Sequence, residues 1–191
     1  NNEFTSTVTP TSTGSSVGIR DVSVLALAQL TGRLGANTGI KAIAGTTLSL
    51  YPEDLSTGTG SIWLQALGGN ITTLGTLTTS TGDITVAASG TLTVIHAITS
   101  TNTTAAGDIN LSGDTSLTIS NSKAVTTDGT GTINLTSSSG NVAMSSGTSL
   151  NSDAGAITIL ANDSVELAVA SSVSGNITVT ATTGSVSDVL A

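Results

Sequence analysis

Gly82-Asp83-Ile84-Thr85-Val86 is written again along the chain. It returns as Gly107-Asp108-Ile109-Asn110-Leu111, Gly131-Thr132-Ile133-Asn134-Leu135, Gly155-Ala156-Ile157-Thr158-Ile159 and Gly175-Asn176-Ile177-Thr178-Val179. An earlier copy is Gly60-Ser61-Ile62-Trp63-Leu64, and the successive glycines are 22, 25, 24, 24 and 20 residues apart. A period in this range marks a repeat architecture.

Each repeat holds three short β segments. In the first, apolar residues stand two and four places after the glycine, as in Ile84/Val86, and period two puts them on one face with Thr85, Asn110 and Thr158 on the other. The second begins ten or eleven residues after the glycine, at Leu92/Val94, Leu117/Ile119, Val142/Met144 and Val165/Leu167. The third centres on one apolar residue, sixteen to nineteen places on: Leu77, Ile98, Val125, Leu150 and Val173. Polar turns such as Ala87-Ala88-Ser89-Gly90 and Asp128-Gly129-Thr130 separate them. Three strands and three corners per repeat predict an all-β, parallel β-solenoid with about 20–25 residues per coil. One coil has too few inward aliphatic residues to offset the backbone entropy of ordering it. The coils must therefore stack, with Ile62, Ile84, Ile109, Ile133, Ile157 and Ile177 lined up as one buried ladder.

The whole-chain numbers agree. In 191 residues, charged side chains make up 8% and aromatics 2%, while 37% are apolar and mostly periodic, which argues against disorder. A net charge of −8 and four scattered basic residues (Arg20, Arg33, Lys41 and Lys123) argue against nucleic acid as a partner. No apolar run is long enough for a transmembrane helix. The lack of cysteine excludes a disulfide scaffold and a cysteine-based zinc site. The chain opens Asn1-Asn2-Glu3-Phe4 with neither Met nor signal peptide, so a processed or excised piece of a longer protein is expected.

Residues 1–17 read as a leader or cap and 18–191 as solenoid, with coil starts near 18, 39, 60, 82, 107, 131, 155 and 175. The first two, Gly18-Ile19 and Gly39-Ile40, are degenerate. Val22/Val24, Leu25/Leu27/Leu30, Leu48/Leu50 and Leu55 supply their inward residues, although residues 24–30 also fit a short capping helix. Tyr51-Pro52-Glu53-Asp54 reads as a corner insertion, with Pro52 in a turn because it cannot donate into a ladder. The final stretch, Gly184 to Leu190, carries apolar Val186, Val189 and Leu190 and one charge, Asp188. That is an uncapped sheet edge. The expected working state is continuous with further coils or stacked end to end on other copies.

Gly-(Asp/Asn)-Ile-Thr-(Val/Leu) followed by Leu-Thr-(Val/Ile) resembles the repeats of filamentous-haemagglutinin-like adhesins, over roughly residues 18–190. The Asn-Pro-Asn-Gly signature of two-partner secretion domains is absent. The resemblance implies a right-handed parallel β-solenoid in a secreted or cell-surface stalk serving adhesion, biofilm or a surface layer, and it transfers no functional residue.

Catalysis on a β-helix needs paired carboxylates, or carboxylates beside basic residues and sugar-holding aromatics. Asp83 and Asp108 share the second motif position and should stack one coil apart, but Thr132, Ala156 and Asn176 follow them there. They read as corner residues satisfying turn amides. His96, the sole histidine, reads as a strand-flanking surface residue rather than a metal ligand. Asp114, Asp128, Asp153 and Asp163 fall in turns, where calcium is an alternative, but the Gly-Gly-x-Gly-x-Asp calcium repeat is absent. The sequons at Asn70, Asn102 and Asn176 are expected by chance in so Thr-rich a chain.

Trp63 is the one possible contact residue, on the outward face where other coils carry Thr or Asn. It is covered by the Tyr51 loop or the leader, or it meets a protein partner, or it stacks on a glycan. The resulting expectation is a non-catalytic structural or adhesive module, extracellular or at the cell surface. It has no catalytic, cofactor or metal residues and no cofactor. Its partners are neighbouring repeats or other copies, and host or matrix glycans or proteins. An ice- or flat-surface-binding solenoid acting through Thr rows such as Thr91-Leu92-Thr93 is the alternative, and a carbohydrate-active enzyme is less favoured.

Overall fold

The computed structural model describes residues 16–27, 37–50, 54–73, 75–120 and 122–189. These form a parallel β-solenoid of about seven turns with three strands per coil, and no helix occurs among the described residues. One coil runs through Ile84–Ala88, Thr91–Val94 and Ile98–Ser100. Each strand pairs in parallel with its counterparts one coil away, giving sheets of eight, eight and six strands.

The glycine-motif sheet has the expected register. Ile40, Ile62, Ile84, Ile109, Ile133, Ile157 and Ile177 are successive partners. Ile40 through Ile157 are buried, but Ile177 is 43% exposed, because no further coil covers it among the described residues. The second sheet stacks Leu25, Leu48, Ile71, Leu92, Leu117, Val142, Val165 and Val186.

Three early readings shift. Ser16 pairs with Gly39 and Val17 with Ile40, so Val17 takes the place expected for Ile19. The two-residue offset keeps the same face inward. Val22 and Val24 lie in the turn before Leu25–Leu27 and are exposed, so they do not serve the core. In the third sheet Ala170, not Val173, is the partner of Leu150, and Val173 is 82% exposed. That coil is the shortest interval, so counting from its glycine overshoots the strand. Leu25–Leu27 is a strand rather than the start of a helix. Leu30, Tyr51, Pro52 and residues 1–15 lie outside the described residues.

The motif glycine follows from the spacing of coils. A Cβ at Gly107 would stand 2.1 Å from the Gly82 carbonyl oxygen, and one at Gly155 would stand 1.8 Å from that of Gly131. The chain turns so tightly at this corner that the backbone of one coil occupies the side-chain volume of the next.

Candidate contact surface at Trp63

The fourth motif position forms an outward row of Gly18, Lys41, Trp63, Thr85, Asn110, Asn134, Thr158 and Thr178. Strand alternation turns these side chains away from the core. Trp63 is 41% exposed. Lys41, one coil earlier, places its Nζ 4.9 Å from the centre of the indole ring, within cation–π range. The indole, Lys41 and the bare backbone of Gly18, Gly39 and Gly60 border a groove of about 460 Å³, with Ser16 and Ser61 at its rim. Lys41 was not singled out by the sequence. Its partnership with Trp63 spans 22 residues, and only the strand register reveals it.

The carboxylates act elsewhere. Asp83 accepts the Asp108 amide at 2.9 Å, and Asp108 accepts the amide and hydroxyl of Thr132 at 2.8 and 2.9 Å. Ser61 in turn accepts the Asp83 amide at 3.2 Å. These side chains do hold corner amides, those of the next coil rather than of their own turn. The other two corners follow the same rule. Asn70 accepts the Thr91 amide, Asn141 that of Ser164, and Ser164 that of Ser185. Asp54 accepts the Thr76 amide at 2.9 Å. The Thr76 hydroxyl and amide hold the Asp54 carboxyl below its usual range, with a smaller contribution from the charge of His96. The signal was legible: an oxygen-bearing side chain stands immediately before the first inward residue of these strands.

A second pattern went unread. Two places after the inward residue of the third sheet stand Thr57, Thr79, Ser100, Thr127 and Ser152, all buried. Most of these hydroxyls brace the corner leading to the next glycine. Ser100 accepts the Gly107 amide at 2.9 Å and donates to the Ser80 carbonyl at 2.9 Å. Thr127 donates to Gly131 O at 2.8 Å, and Ser152 donates to Gly155 O at 2.8 Å. The Thr79 hydroxyl has no partner among the described residues.

His96 lies between the strands Thr91–Val94 and Ile98–Ser100 and is partly exposed. Asp114 accepts from the Ser138 and Ser139 hydroxyls, through its carboxylate and its backbone carbonyl respectively. Asp153 accepts from the Gly129 amide and Asp163 from the Thr183 hydroxyl. Among the described residues, no three His, Cys, Asp or Glu side chains gather as a metal site, and no helix is long and apolar enough to cross a membrane.

In comparison with known proteins, the chain matches no family model, no curated protein and no solved structure. The class is therefore defined by the fold alone, as a three-sided parallel β-solenoid repeat protein.

Proposed function

We propose that this chain is a non-catalytic structural and adhesive module, a stiff stalk segment of a secreted or cell-surface protein of the filamentous-haemagglutinin-like kind. The observation that carries the reading is the coil-to-coil bonding of polar side chains at all three corners. Such ladders spend the corner side chains on axial cohesion. Stability is then a sum over neighbouring coils, which suits a body that must hold its length. The same reading includes contact with further coils or other copies. It is supported by Ile177 and Val186, apolar residues of the last described coil that are 43% and 51% exposed.

The test is mechanical and adhesive. Beads carrying the 191-residue chain are pulled from cell monolayers and from matrix-glycan films. Retention above that of beads carrying an unrelated soluble protein is expected, with no turnover in a glycan-hydrolysis screen. Background retention, or turnover, would overturn the reading. Ice binding has one observation in its favour: in-register outward rows Thr72-Thr93-Thr118 and Thr78-Thr99-Thr126. Ala143 and Asn151 interrupt them one coil later. Thermal hysteresis in solutions of the chain would establish that second reading.

A further inference from the structure

The groove beside Trp63 combines features not repeated along the stack. It holds the sole tryptophan and one of four basic residues in a chain of net charge −8. Among the described residues no carboxylate pairs with Lys41, whose ammonium lies over the indole instead. Arg20 projects from the neighbouring outward row on Ser16–Asp21, the first strand of the same sheet. A patch of positive charge with an aromatic wall thus sits on an otherwise acidic body. Gly18, Gly39 and Gly60 border the groove with bare backbone, and at Gly18 a Cβ would meet no atom within 4 Å.

We propose that this groove binds an acidic sugar unit, a hexuronate within a glycan chain. The apolar C–H face of a pyranose stacks on the indole, and its carboxylate draws the Lys41 ammonium from the ring into an ion pair. An exposed cation–π contact is weak, so exchanging it for a charge-assisted hydrogen bond with a stacked ring is favourable. The Ser61 oxygen accepts the Asp83 amide, which leaves its own hydrogen free to donate to a sugar hydroxyl. The volume is that of a small-ligand pocket. A peptide fits less well. The groove crosses the face of three strands, Ser16–Asp21, Gly39–Ala44 and Ile62–Ala66, whereas an added peptide strand pairs with a sheet edge and not with a face. This inference deepens the glycan contact of the adhesive reading, and the trimer titration reads one sugar unit in the groove, so a trimer that binds while beads detach tells the two apart.

Trp63 is the only tryptophan, so its fluorescence reports on the groove alone. The intact chain is titrated with a trimer of galacturonic acid, with the neutral galactose trimer, and with a short polyglutamate. A saturable change is expected with the acidic sugar, weakened by added salt and about tenfold by Lys41→Gln. Lys123→Gln, away from the groove, should bind as wild type does, and Trp63→Ala should abolish the heat of binding in calorimetry. Circular dichroism melts of all three variants serve as the folding control. An equal response to the neutral trimer, or a stronger one to polyglutamate, would overturn the proposal. So would the absence of any response, or a Trp63 shielded from iodide by the chain itself.

Discussion

Gly107 has no room for a single carbon, because the Gly82 carbonyl oxygen already occupies the place of a Cβ. Gly107→Ala must push two backbones apart and should destabilise by about 1–3 kcal/mol or more. Gly18→Ala, where no atom lies within 4 Å of the new carbon, should leave the urea midpoint unchanged. The buried hydroxyls allow a sharper contrast. Ser100→Ala strands the buried Gly107 amide and should cost about 1–3 kcal/mol. Thr79→Val removes a hydroxyl that has no partner among the described residues, so it should be neutral or slightly stabilising. Urea unfolding of the two variants side by side checks this. Equal losses would mean that the hydroxyl row does not brace the corners as its geometry indicates.

At the scale of the element, each strand is tied to the next coil before its first inward residue. Asp108→Ala removes the acceptor of both the amide and the hydroxyl of Thr132 and should cost about 0.5–2 kcal/mol, by analogy with loss of a helix cap. Asp108→Asn keeps one acceptor oxygen and should retain most of that stability. Asp54 adds a pH dependence to the ladder. Its folded pKa is depressed, so its contribution is present above the unfolded value near 4 and is lost as pH falls through the lower folded value. The carboxylate is almost fully exposed, and solvent screening keeps the effect small. Asp54→Asn should therefore flatten the acid limb of the stability curve only below about pH 4, leaving neutral stability nearly unchanged. Urea midpoints measured across the acid range test the sign. A variant that flattened the curve near neutrality would contradict it.

Over the whole molecule the core is one continuous column, and position along it sets the cost of a substitution. Ile133, mid-stack and fully buried, should lose several kcal/mol on change to Asp, because an unpaired charge would be enclosed between coils. Ile177→Asp, at the same ladder position but 43% exposed, should lose far less. Hydrogen exchange should show the same gradient in the 191-residue chain. Amides of Ile109–Gly113 and Ile133–Ser137 should be the slowest, and those of Ile177–Ala181 should open first. Uniform protection along the column would refute additive nearest-neighbour stability.

The sequence by itself determined the repeat, the three strands per coil and the inward ladder from Ile62 to Ile157. A solenoid's core is set by residues recurring at fixed intervals, and a linear pattern displays that directly. Trp63 was legible as an outward oddity for the same reason, since alternation alone assigns its face. The tertiary structure decided what depends on neighbours one coil away. It set the register of the first two coils, where glycine and isoleucine offer two alignments on the same face. It put Ala170 in place of Val173 in the shortest coil. It also brought Lys41 over Trp63, a contact between residues of unrelated type far apart in the chain. The purpose of the motif glycine lay beyond the sequence as well. Its necessity comes from the closeness of the next coil's carbonyl, a distance that exists only once the coils have stacked.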